Sequence, residues 1–147
     1  MPIECKTSRA QIDKALQKQM ERMHTAIIRK LCYIGEEAVN YARNTSLKGR
    51  DYKDQTHNLR SSTGYVVTYD GKIVFSSDFR PDSETGTEGA QAGRNYAEQI
   101  AAKQGKGYAL IVVAGMNYAR YVSAKGYDVL DSAELKAREL IHTLFPK

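Results

Sequence analysis

Residues 8–44 read SRAQIDKALQKQMERMHTAIIRKLCYIGEEAVNYARN, a run with no proline and a single glycine, Gly35. Apolar side chains fall at Ile12, Leu16, Met20, Met23, Ile27, Leu31, Ile34, Ala38 and Tyr41. The steps of three and four place them on one stripe of an α-helix. Ser8 can cap the N-terminus, and Gln11 three residues on completes a capping-box pattern. At about 1.5 Å per residue such a helix reaches roughly 55 Å, more than the diameter of a compact domain of this length. Either it breaks near Gly35, or part of it protrudes and packs on something else. Its polar face carries Arg9, Lys14, Lys18, Arg22, Arg29 and Lys30.

Downstream, residues 45–63 are polar and expected to be mostly loop. Gly64–Tyr69 reads as a strand and Lys72–Ser76 as its return. Asp70-Gly71 between them suits a two-residue hairpin turn, because both residues tolerate positive φ. A continuous register sets Val67 opposite Val74 and Val66 opposite Phe75, so both faces of the hairpin carry apolar pairs. The sheet is then covered on both sides, or one side is buried in a partner. Pro81–Gly93, PDSETGTEGAQAG, has three acids, three glycines and no large apolar residue, the composition of a flexible loop.

A short helix is expected from Arg94 to Gln104. The unbroken apolar run Tyr108–Ala114, bounded by glycines, predicts a central buried strand. Asn117 to about Lys125 predicts a short helix stopped by Gly126. Asp131 and Glu134 supply a cap and a third-position acid for a last helix, Ala133–Phe145, whose stripe is Ala137, Leu140, Ile141 and Leu144. The fold class is α+β, a small antiparallel sheet packed by helices. The 147 residues suit one domain.

The net charge of +5 is unevenly spread: +5 over residues 1–50, −3 over 51–100 and +3 over 101–147. Surfaces of opposite sign suit self-association or a protein partner as well as they suit DNA. No run of 18 apolar residues predicts a membrane span, and the first residues lack the apolar core of a signal peptide. Two cysteines, Cys5 and Cys32, make no disulfide framework, so a soluble protein of a reducing compartment is expected.

No catalytic constellation stands out. His24, His57 and His142 lack metal-ligand neighbours at the usual spacings, and His24 falls on the polar flank of the long helix. Arg138 and His142 share a helix face, but a basic last turn favoured by the helix dipole accounts for them. Neither metal, cofactor nor small-molecule substrate is expected. Ten tyrosines with no tryptophan and three phenylalanines favour core and interface packing.

Two further stretches belong together. Asp54-Gln55-Thr56-His57-Asn58-Leu59-Arg60-Ser61-Ser62 leads into the first strand. Gly115-Met116-Asn117-Tyr118-Ala119-Arg120-Tyr121-Val122 follows the last one and ends at Gly126-Tyr127-Asp128-Val129-Leu130. With the long first helix and the closing helix, this resembles the small neck or tail-completion proteins of long-tailed bacteriophages and prophages, also labelled head–tail joining or minor tail proteins. Their D-x-T-G-x-L-R-x-S element precedes the first hairpin and their Y-A-x-Y-V-E-x-G element follows the last strand. His57 stands where that family usually has Gly, and Ser123 where it usually has Glu.

The resemblance implies a ring-forming, non-enzymatic virion component between portal and tail tube or at the tube end, made in the host cytoplasm, with double-stranded DNA passing through its lumen. The motif residues take structural roles. Asp54 or Thr56 caps a turn, Leu59 plugs the core, Arg60 pairs with a carboxylate and Ser62 completes the element. Tyr118, Tyr121 and Val122 share a face beside the sheet, and Gly126 ends their helix. Lys14, Lys18, Arg22, Arg29 and Lys30 are the candidate channel or interface contacts. Neighbouring neck, portal-adaptor or tail-tube proteins are the implied partners. Two alternatives stand beside this: a nucleic-acid-binding module using the basic helix, and a small hydrolase or RNase using His57 or His142 with Arg60 or Arg138.

Overall fold

A computed structural model describes residues 2–45, 57–81 and 83–147. The chain is α+β. Helix α1 runs unbroken from Arg9 to Thr45, straight through Gly35. A methyl group on Gly35 would come within 2.6 Å of Cγ of the Tyr65 ring. Glycine here lets the helix lie against that ring. The reciprocal cap forms as expected: the Ser8 amide donates to Gln11 Oε1 (3.0 Å), and the Gln11 amide to Ser8 Oγ (3.3 Å). Of the two alternatives for an overlong helix, protrusion holds. Residues 9–23 are exposed throughout, whereas Leu31, Ile34, Ala38, Val39 and Ala42 are buried.

After a single turn of helix, α2 (Asn58–Ser61), come strands β1 (Thr63–Tyr69) and β2 (Lys72–Ser76). Strand β3 (Tyr108–Ala114) pairs antiparallel with β1, so the order is β2-β1-β3. The central strand is therefore β1, buried from Thr63 to Thr68, and the expected central strand, β3, lies at an edge. Its apolar run is explained by faces: Leu110 and Val112 point with Tyr65 and Val67 toward α1, and Ile111 and Val113 point with Val66 the other way.

Asp70 (φ 48°) and Gly71 (φ 77°) make the expected turn. The continuous register beyond it does not form. Tyr69 pairs with Lys72 and Thr68 with Ile73, but Val67 then pairs with Phe75 and Val66 with Ser76. Val74 is the extra residue of a β-bulge. The bulge moves Phe75 from the Val66 face to the Val67 face, where it stacks on Tyr65 at 5.8 Å between ring centroids.

The stretch Pro81–Gly93 expected to be a flexible loop is largely helical. A 3-10 turn, Glu84–Gly86, leads directly into α3, Thr87–Ala101. Its glycines permit close packing: a methyl on Gly89 would come within 2.6 Å of Asn58 Cα, and one on Gly93 within 2.8 Å of Phe79 Cδ1. Helix α3 thereby closes the second face of the sheet with Phe79, Ala90, Ala97 and Ala101.

Helix α4 spans Ala119–Ala124, and Gly126 (φ 86°) follows its end. Helix α5, Asp131–Leu144, begins two residues before the expected start. It is capped by Asp128, whose carboxylate accepts from the amide and hydroxyl of Ser132, where Asp131 was the expected cap. Ala133 and Ala137 let it lie on Ala38 and Ala42 of α1. The chain thus has three layers: α1 with α5, the sheet, and α3.

Candidate interaction surface

The apolar arm and its groove follow from how α1 outruns the sheet. The arm, residues 9–23, leaves Ile12, Leu16, Met20 and Met23 exposed at 44%, 58%, 70% and 63%. Their spacing repeats after eleven residues in Met23, Ile27, Leu31 and Ile34, of which the last three are covered or partly covered by the sheet. Eleven residues are close to three full turns, so the stripe keeps its phase. A surface built to be buried continues about 22 Å beyond the layer that buries it.

Where the arm leaves the sheet, Met20, Met23 and His24 form one wall of a groove of about 690 Å³, and Tyr69 and Tyr108 the other. His24, on the flank of the long helix, is half-buried against the sheet. Its Nδ1 lies 2.6 Å from the Tyr108 hydroxyl, and its ring meets Tyr69 edge-on at 4.7 Å. The Tyr108 phenol titrates above its ordinary range, chiefly through desolvation and then through Tyr69 and Asp70. The hairpin tip is tied down beside it: Asp70 donates its amide to the Gly107 carbonyl (3.0 Å) and accepts from the Gly107 amide at Oδ1 (2.7 Å).

The candidate basic contacts divide. Lys14, Lys18, Arg22 and Arg29 are exposed. At about 100° per residue they cluster on the side of α1 away from the apolar stripe. Lys30 is committed within the chain. Its Nζ donates to the Leu144 carbonyl (2.8 Å) and sits 5.1 Å over the Phe145 ring. It lies at the edge of the stripe, where α5 ends, and satisfies a terminal carbonyl of that helix.

Asp54 and Thr56 lie outside the described residues. Leu59 is fully buried, as expected, and packs with Ala119 and Val129, joined by Met116, Val122 and Leu130. Ser62 is buried and donates its hydroxyl to the Leu59 carbonyl (2.7 Å). Arg60 donates to the Arg43 carbonyl (2.7 Å), and Arg43 donates to the Thr63 carbonyl (2.8 Å), fastening α1 to the head of β1. His57 adopts a left-handed φ of 56°.

Tyr118, Tyr121 and Val122 differ in exposure. Val122 and Ala119 turn inward, whereas Tyr118 and Tyr121 are 38% and 63% exposed. Lys125 sits 4.4 Å over the Tyr121 ring, and a hydrogen bond to the Tyr121 side chain raises its pKa. Seven tyrosines are exposed in this way and Tyr65 alone is fully buried among the described residues. Burial holds the Tyr65 phenol and the Cys32 thiol above their usual ranges, with Glu36 adding to both.

Sequence reading missed the exposure of β2. Ile73, Val74 and Phe75 are each about 40% exposed on an edge strand. No local signal marks an edge; only the pairing order reveals it.

Among the described residues, no group of three His, Cys, Asp or Glu is placed to hold a metal ion, and no helix is long and apolar enough to cross a membrane. Arg138 is paired with Glu134 at 2.6 Å. No protein-family model, curated protein or solved structure matches this chain significantly.

Proposed function

We propose that this protein is a structural subunit of a tailed-phage neck or tail end, assembling as a ring around the DNA channel without catalysing a reaction. The observation that carries this reading is the meeting of the two motif stretches. Leu59 from the first packs against Ala119, Val122, Val129 and Leu130 from the second, in a cluster made of apolar side chains. Residues some sixty positions apart are thereby used to hold the fold together. His57 supports the same reading, since its left-handed backbone is the conformation the family's usual glycine adopts freely.

In this reading the exposed tyrosines, the β2 edge and the apolar arm are contact surfaces for neighbouring subunits and for portal-adaptor or tail-tube proteins. Lys14, Lys18, Arg22 and Arg29 meet phosphate without reading bases. Electron microscopy and native mass of the purified protein, alone and mixed with portal-adaptor and tail-tube proteins, test the proposal. Rings, or assembly on those partners, are expected. A protein that ignores both and forms no closed assembly overturns it.

The basic side of α1 also favours a second reading, duplex binding without an assembly role. That predicts affinity falling steeply with salt and lost on charge removal at Lys14, Lys18 and Arg22.

A further inference from the structure

We infer that the α1 arm is a self-pairing element: two copies of this chain lay their arms antiparallel, stripe to stripe, about a two-fold axis near Leu16 and Met20. The inference does not depend on the phage reading. A second copy is the occupant for three reasons.

The stripe is self-complementary in register. Turned end for end, Ile12 falls beside the partner's Met23 and Leu16 beside the partner's Met20, within one residue of a common register, so every large apolar side chain exposed on the arm faces another. An isologous contact of this kind is the commonest route to a closed pair.

Charge does not oppose it. Lys14, Lys18 and Arg22 lie on the far side of the helix and stay in solvent. Arg9, expected on the polar face, is five full turns from Ile27 and so falls on the stripe itself, where it places a positive charge at the tip. Antiparallel pairing brings that tip to the groove where the partner's arm leaves its sheet, beside the partner's Tyr69 and Tyr108. Tyr69 is 37% exposed where it lines that groove, and an aromatic wall there attracts a guanidinium.

The area suffices. Four side chains exposed at 44–70% amount to an apolar patch on the order of 500 Å² per copy, the size at which exposed patches mark interaction sites. With the tip and groove added, the two copies reach the roughly 1,000 Å² that separates specific contacts from incidental ones. A helical arm of fifteen residues is also marginal alone in water, and the reciprocal Ser8–Gln11 cap specifies helix to its very end.

Sedimentation of the full chain tests the pairing. The expected mass is twice the 16.5 kDa of the monomer, or an even multiple of it. Leu16→Glu with Met20→Glu should weaken association at least tenfold while leaving the circular dichroism of the domain intact, since both residues are exposed. Register is tested in a Cys5→Ser background. Ile12→Cys with Met23→Cys should give a covalent dimer on oxidation, because within one chain those positions are about 16 Å apart, too far to bridge. Either cysteine alone should not cross-link, its own copy in the partner being equally distant. A strictly monomeric wild type, a double glutamate variant that associates normally, or single cysteines that cross-link as readily as the pair would each overturn the inference. Rings in which the Ile12→Cys, Met23→Cys pair gives no cross-link would overturn it and leave the neck reading standing.

Discussion

Replacing Gly89 by alanine sets two large effects against each other. In an exposed helix interior this change stabilises by about 1 kcal/mol, because glycine is the poorer helix former. Gly89 is in the third position of α3 and is buried against α2. The added methyl would come within 2.6 Å of both the Cα and the carbonyl carbon of Asn58, where ordinary contact begins at 3.4 Å. These atoms are backbone and cannot swing aside, so α3 must retreat by at least roughly 0.8 Å, well into the range where packing contacts are lost. The Gly89 amide donates to Asn58 Oδ1 at 3.0 Å in a buried site, and that retreat stretches the bond past any useful length.

Strain from overpacking costs about 1–3 kcal/mol, and orphaning a buried hydrogen-bond pair about 1–3 more. Against the helix gain, the net is a loss of about 3 kcal/mol. For a domain of this size that lowers the melting temperature by roughly 6–12 °C. Thermal and urea denaturation followed by circular dichroism measure it. Gly105→Ala is the control: nothing lies within 4 Å of its added methyl, and the change should stay within about 0.5 kcal/mol. A Gly89→Ala protein that melts at or above the wild-type temperature refutes the close packing of α3 on α2.

Other substitutions probe separate elements. Thr68 is fully buried and its hydroxyl has no hydrogen-bond partner among the described residues, so Thr68→Val should gain about 1 kcal/mol in chemical denaturation; a loss would reveal a partner. Asp70→Ala removes both the carboxylate that accepts from Gly107 and a side chain tolerant of φ 48°, and should cost about 1–2 kcal/mol. Asp70→Asn, which keeps an acceptor, should recover most of it. Tyr65 and Cys32 both have folded-state pKa values raised by burial. Their contribution is therefore fully present below the unfolded values, near pH 9 for the thiol and pH 10 for the phenol, and is lost as pH rises through the folded ones. Denaturation midpoints between pH 8 and 11 should fall more steeply for the wild type than for Tyr65→Phe.

Local chemistry was enough to read α1 almost to the residue, the Asp70-Gly71 turn, the three strands and the two closing helices. Each rests on interactions between near neighbours: a capping pair three residues apart, a stripe repeating at helical spacing, two residues at ease with positive φ. The inward role of Leu59 came instead with the motif of the resemblance. Local chemistry failed where a residue's meaning depends on what lies across space from it. Glycines at 86, 89 and 93 look like loop residues in sequence and act as contact points in the fold, because absent side chains permit both. The register of β2 turned on Phe75 finding Tyr65, a choice the hairpin itself does not encode.

Strand order likewise belongs to the tertiary structure. The apolar run of β3 is unbroken whereas Thr63, Gly64 and Thr68 interrupt that of β1, yet the pairing order makes β1 central. Lys30 reads like Lys14 and Lys18 along the chain, yet sits where α5 ends and is used there. Sequence alone determined that a long amphipathic helix begins at Ser8 and carries one continuous apolar stripe. Tertiary structure decided that the sheet covers only its second half, since a three-stranded layer is too short to bury a stripe of that length, and so it decided which apolar residues remain for another chain to cover.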